Sequence, residues 1–158
     1  MQKQIFTFII ISLLIGLNLK ADKIPTSEVQ KLIKKAKSAT TPVSPKKFHD
    51  LLENSFEDVI QVDVRENNEN GHGEIFSMEK VKLTRGYLEF NIEQFIPDKT
   101  KHIVVVCCSG RRSALAALSL KNLGYTNVGY LKGGVKAWLK AGYPLDTVFG
   151  ELYLKKYR

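Results

Sequence analysis

The chain has 158 residues, 44% of them hydrophobic and 25% charged, with a formal net charge of +8. That composition excludes a disordered chain, and the length suits one domain with a real core plus an extra segment at an end. The positive charge favours anionic ligands, but the lysines are spread over both ends and along expected helix faces. They lack the arginine and aromatic interleaving of nucleic-acid readers, so no nucleic-acid partner is expected.

Residues 1–21 read as a signal peptide. Lys3 gives a charged start, an apolar run follows from Ile5 to Leu17, and Ala21 offers a cleavage point. Leu19 is a poor match for the small residue usual two positions earlier, so an uncleaved anchor is the alternative, and membrane contact is expected only through that segment. The run is short for a spanning helix of about 20 residues. Export, to the periplasm, is the expected destination, and cleavage would lower the charge from +8 to +6 by removing Lys3 and Lys20.

Residues 22–43 are expected to form an N-terminal helix and a linker. Thr26 or Ser27 caps a helix to about Lys37, with Val29, Leu32, Ile33 and Ala36 on one stripe, and residues 38–42 read as the linker. Ser44 then caps a second helix that has Pro45 at its first position and Phe48, Leu51 and Leu52 inward, leaving His49 as a surface residue on its flank. Val59-Ile60-Gln61-Val62-Asp63-Val64-Arg65-Glu66 is an apolar strand ending in charge. Residues 67–73 read as a loop, residues 75–83 carry no clear periodicity, and Arg85-Gly86-Tyr87 turns into a short helical piece closed by Pro97.

Ile103-Val104-Val105-Val106 is an uninterrupted β-branched run, as in a strand buried on both faces. It leads through Cys107-Cys108-Ser109-Gly110-Arg111-Arg112 into Ser113 and an alanine- and leucine-rich helix. A tight turn from strand to helix leaves several N–H groups facing one concavity, which attracts anions. Cys107 is expected at its lip, accessible and favoured as thiolate by the helix start and the arginines. Leu123-Gly124 ends the helix, residues 127–131 form another strand, and Gly133-Gly134 opens a helix with Val135, Trp138 and Leu139 on one stripe. The tail from residue 148 onward mixes Phe149, Leu152, Tyr153 and Leu154 with late basic residues and reads as an edge helix.

Only two cysteines occur. Neighbouring Cα atoms lie about 3.8 Å apart, below the roughly 4.4–6.8 Å that disulfides prefer, so no structural disulfide is expected. None of His49, His72 and His102 stands at ligand spacing, which leaves no structural metal site. The alternation of strands and helices predicts an α/β fold: a mainly parallel central sheet of about five strands, flanked by helices on both faces. In such a sheet, ligands gather at the carboxyl ends of the strands, which puts Asp63 and Arg65 on the same edge as Cys107.

Three ordered signatures give the chain its resemblance to the rhodanese family. Asp63-Val64-Arg65-Glu66 resembles the family's strand-end motif, and Cys107-Cys108-Ser109-Gly110-Arg111-Arg112-Ser113 resembles its active-site loop. Leu131-Lys132-Gly133-Gly134-Val135-Lys136-Ala137-Trp138, continued by Ala141-Gly142-Tyr143-Pro144, resembles its C-terminal signature. The domain is expected over residues 44–146, with residues 147–158 as a C-terminal tail. One departure is Gly71-His72-Gly73-Glu74-Ile75, which lacks the Pro-Gly-Ala that commonly follows Gly-His-Ile in the family. No catalytic role is given to His72 or Glu74.

The resemblance implies a sulfurtransferase. Cys107 would carry sulfane sulfur as a persulfide, taken from a small sulfur-containing anion such as thiosulfate or polysulfide and passed to a thiol, a protein cysteine or cyanide. Cys108, Ser109, Gly110, Arg111, Arg112 and Ser113 would bind the substrate, the amides holding the terminal sulfur's charge. Arg112 would orient the loop or grip donor oxygens, Arg111 would point outward, and Asp63 and Arg65 would support the loop from behind. Related phosphatases and arsenate reductases place the arginine sixth after the cysteine. Here the sixth residue is Ser113 and Arg112 is fifth, a smaller cradle suited to one sulfur atom.

No cofactor is implied. Cys108 either fills a variable loop position or attacks the Cys107 persulfide, releasing sulfide and leaving a strained vicinal disulfide. The alternatives to an enzyme are a non-catalytic binding module of the same fold and capture of a soft metal by Cys107 and Cys108.

Overall fold

The computed structural model describes residues 27–54, 59–71 and 73–154. The expected signal peptide and His72 lie outside the described residues. In chain order the elements are α1 (Ser27–Ala39), β1 (Thr41–Val43), α2 (Pro45–Asn54), β2 (Val59–Asp63), α3 (Asn67–Asn70), β3 (Lys80–Lys82), α4 (Leu88–Phe95), β4 (His102–Val106), α5 (Arg111–Asn122), β5 (Val128–Leu131), α6 (Gly134–Lys140), β6 (Leu145–Thr147) and β7 (Gly150–Leu152). β1 to β5 form one sheet in the order β1-β5-β4-β2-β3. All four pairings within it are parallel, as expected for this fold class.

The central strand shows why the sequence folds this way. Side chains alternate across a strand, so β4 sends Ile103 and Val105 to one face of the sheet and Val104 and Val106 to the other. The first face is covered by α1, α4 and α5, through Ala36, Leu88, Ile92, Ala116, Ala117 and Leu120. The second is covered by α2 and α6, through Phe48, Leu52, Val135 and Trp138. Both faces of β4 are therefore dry, and an unbroken apolar run is what such a strand requires. Ser44 caps α2 by accepting the Lys47 N–H at 3.1 Å.

Parallel register fixes the working edge. Asp63 at the end of β2 stands beside Val106 at the end of β4, and the Val64 N–H continues the ladder to the Val106 carbonyl at 2.9 Å. Cys107 therefore leaves the sheet beside the Asp63-Val64-Arg65 segment.

Several local expectations need correction. Residues 38–42 are not a linker throughout, because Thr41 starts β1, which pairs with β5 at the sheet edge where a proline is tolerated. The 67–73 segment is not wholly loop, since its first part winds into α3. The tail is not an edge helix: β6 and β7 form an antiparallel hairpin, with Val148 and Phe149 exposed at its tip. His49 is not a bare surface residue either. It stacks on Tyr143 with ring centroids 4.3 Å apart and lies against Trp138.

Candidate active site

The loop after β4 curls so that its sulfur faces its own backbone. Cys107 Sγ accepts the Gly110 N–H at 3.2 Å and the Ser113 N–H at 3.3 Å, and lies 3.4 Å from Ser113 Oγ. These donors belong to the first turns of α5, where N–H groups have no helical partner. The sulfur thus occupies the anion position that the turn creates. Cys107 is fully buried, packed within the apolar cluster under α5. The expected accessible thiol at the lip is corrected accordingly: the sulfur is turned beneath the lip because the amides that bind it point inward.

The tight curl depends on glycine at two positions. Gly110 caps α5 with φ +80°, and a Cβ there would stand 2.7 Å from the Gly133 nitrogen. A Cβ on Gly134 would stand 2.1 Å from the Cys107 carbonyl oxygen. The start of α6 is pressed against the back of the loop, where the Val135 N–H binds the Cys107 carbonyl and the Lys136 N–H binds the Cys108 carbonyl, each at 3.0 Å. The glycine pair of the third signature is the floor on which the cysteine loop rests.

Asp63 and Arg65 form a buried ion pair. Arg65 Nη2 lies 2.7 Å from Asp63 Oδ2, both side chains being 1% exposed, and Nε also donates to the carboxylate. The remaining Nη1 donates to the Gly73 carbonyl at 3.0 Å. The pair therefore ties Gly73 to the end of β2, and among the described residues its side-chain hydrogen bonds do not reach the cysteine loop directly.

That segment carries a residue that sequence reasoning missed, Glu69 in α3. Arg112 Nη1 and Nη2 donate to Glu69 Oε2 and Oε1, both at 2.6 Å, a fork-on-fork pair. The Cys108 thiol donates to Glu69 Oε1 at 3.0 Å, and the Glu66 N–H donates to Oε2 at 2.9 Å. The Arg112 bonds hold the Glu69 carboxyl down at about 2, and the carboxylate in turn raises Arg112 above its ordinary range. Burial, reinforced by Glu69, pushes the Cys108 thiol up to about 11. The one sequence signal for Glu69 is an acid in the loop after a parallel strand, at the edge shared with Cys107. It lies 43 positions from its partner, too far for pattern reading.

Of the remaining loop residues, Arg111 is exposed and donates from Nε to Ser109 Oγ at 3.3 Å. Gly110 and Ser113 contribute their amides to the sulfur. The two cysteines face different partners, backbone amides for Cys107 and a carboxylate for Cys108.

The Rhodanese-like domain family model matches residues 44–141. A thiosulfate sulfurtransferase GlpE from Actinobacillus succinogenes is 29% identical over 117 residues, covering 71% of this chain and 96% of that one. Among solved structures, a Rhodopseudomonas palustris protein described as a possible tyrosine phosphatase superposes with a TM-score of 0.68 at 30% identity, covering 79% of this chain and 98% of that one. The polysulfide-sulfur transferase homodimer of Wolinella succinogenes superposes with a TM-score of 0.64 at 27% identity, over 83% and 91% of the two chains. Of several longer curated relatives, this chain spans only between 23% and 34%.

Proposed function

The chain belongs to the rhodanese-like domain family, and on that footing we propose that it is a sulfurtransferase that carries sulfane sulfur on Cys107. The observation that carries the reading is the pair of amides, from Gly110 and Ser113, converging on one sulfur atom. Two amides aimed at one sulfur mark the start of α5 as a place for a sulfur anion.

The Cys107 thiolate attacks the outer sulfur of the donor. A new sulfur–sulfur bond forms as the donor's own sulfur–sulfur bond breaks, and sulfite or a thiolate leaves with the electron pair. The terminal sulfur of the persulfide carries the negative charge, which N–H groups of the 108–113 loop, gathered at the start of α5, stabilise. A thiolate or cyanide then attacks that terminal sulfur and restores Cys107. No redox change or cofactor is needed.

Phosphatase chemistry is the second reading, favoured by the likeness to the possible tyrosine phosphatase. A tetrahedral oxyanion needs the loop arginine's fork over the cradle, whereas here Arg112 is spread sideways onto Glu69. Sulfur transfer fits better. Asp63 and Arg65 act by holding the neighbouring segment in place. Cys108, held protonated by burial and Glu69, fits the plain loop-position reading better than that of a second nucleophile. Export through residues 1–21 belongs to the same proposal.

The test is intact-mass spectrometry of the chain after exposure to thiosulfate and to polysulfide. The parent should gain one sulfur on Cys107, and Cys107→Ala should gain none while keeping its circular dichroism spectrum. Sulfur uptake by the folded alanine variant would remove Cys107 from the role.

A further inference from the structure

We propose that Glu69 is a donor-selecting residue, whose carboxylate fills the Arg112 fork and turns the site away from oxyanionic donors such as thiosulfate and toward thiol persulfides. This inference rests on the sulfur-transfer reading and names the donor class for it. Arg112 is the half-buried cation of the cysteine loop, with its fork beside the Cys108 thiol that shares Glu69. Both of its terminal nitrogens are bound to one carboxylate at 2.6 Å, and a second carboxylate, Glu66 Oε1, stands 3.9 Å away. Arg111 is exposed and tied back to Ser109.

Glu69 is itself held from two other directions, by the Glu66 N–H and the Cys108 thiol. That restraint makes the carboxylate a fixed occupant of the fork rather than a passing surface partner. A donor carrying sulfonate-type oxygens must evict Glu69 to use the Arg112 fork, and it meets two carboxylates there. A thiol persulfide has no sulfonate oxygens at the sulfur–sulfur bond to be gripped. Its outer sulfur needs only the N–H groups at the start of α5, and its leaving group is a thiolate that departs with the electron pair of the broken sulfur–sulfur bond.

The experiment compares glutathione persulfide with thiosulfate as donors to the full chain, reading persulfide formation on Cys107 by mass. The parent should use glutathione persulfide with the higher kcat/KM. Glu69→Gln should raise kcat/KM for thiosulfate by about tenfold or more through KM, while the persulfide donor changes by less than about threefold. Adding Arg112→Gln to Glu69→Gln should cancel the gain, because the freed cation is then gone. An unchanged donor ratio in Glu69→Gln, or an equal fall for both donors, would overturn the proposal in favour of a purely structural ion pair.

Thiosulfate affinity, measured by calorimetry in a Cys107→Ala background with and without Glu69→Gln, decides the point independently of turnover. A rise of about tenfold supports the occupied fork and no rise refutes it. If the parent takes sulfur from neither donor, the sulfur-transfer reading falls, and the calorimetric comparison alone judges Glu69.

Discussion

Replacing Gly134 by alanine separates backbone strain from packing at the candidate site. Gly134 has φ +61°, close to the left-handed conformation that costs an L-residue about 1–2 kcal/mol. Gly142 has φ +93°, further from that conformation, but a Cβ there would meet nothing within 4 Å. Backbone preference alone therefore ranks Gly142→Ala as the worse change. Packing ranks them the other way, because a Cβ on Gly134 lies 2.1 Å from the Cys107 carbonyl oxygen, where real Cβ contacts stay beyond 3.0 Å. The loop and α6 must part by roughly 1 Å, which breaks the two bonds from Val135 and Lys136 to the loop carbonyls, each contributing about 1 kcal/mol net.

Together with the backbone term, Gly134→Ala should cost about 3–4 kcal/mol, a Tm lower by roughly 6–16 °C for a chain of this size. Sulfur loading of Cys107 should fall on the order of a hundredfold, as expected for a 1 Å misplacement of reacting groups. Gly142→Ala, with the larger backbone cost and no clash, should lose about 2 kcal/mol and load normally. Calorimetric melting and single-turnover mass spectrometry read both quantities. If Gly134→Ala melts within about 2 °C of Gly142→Ala and loads at the parent rate, the contact between α6 and the loop does not shape the site.

Further tests address the charged groups. Asp63→Asn leaves Arg65 buried without its counter-charge and should cost about 3–5 kcal/mol, visible in urea unfolding; a loss under about 1 kcal/mol would mean that the pair is dispensable. Glu69 titrates near 2 in the folded protein against an ordinary 4.5. Its bond to Arg112 therefore stabilises above about pH 4.5, and that stability is lost as the pH falls toward 2. Allowing for solvent screening of a partly exposed pair, the loss should be about 1–2 kcal/mol and absent in Glu69→Gln; equal acid sensitivity of the two proteins would refute it. In Cys107→Ala, alkylation of Cys108 by iodoacetamide should rise about tenfold per pH unit from pH 7 to 10, because its thiol titrates near 11. A plateau below pH 9 would show an activated thiolate.

The elements that sequence reading recovered are those in which one local rule decides the outcome. The β-branched run before Cys107 permits little besides a strand buried on both faces, and Ser44-Pro45 marks a helix start by capping alone. The errors fall where strand pairing, rather than a local pattern of side chains, decides the outcome. Thr41-Pro42-Val43 becomes a strand because β5 offers it an edge, and the aromatic tail becomes a hairpin because Leu145 pairs with Leu152. The first partner lies far along the chain, and the second pairing is hidden by apolar residues that show no alternation. The cysteine loop was legible as chemistry, but the direction of its sulfur was not, since that depends on which way the Gly110 and Ser113 amides turn. Arg112 was legible as a cation, and its engagement with Glu69 was not, because an ion pair across 43 positions has no periodicity.

The seat of the Cys107 sulfur is written largely in main-chain atoms: amides from positions 110 and 113 inside, carbonyls of 107 and 108 propped from behind. Such a mould is indifferent to most of the side chains that decorate it. Ser109 and Arg111 can drift over generations without deforming it, whereas a single methyl at 110 or 134 would jam the casting.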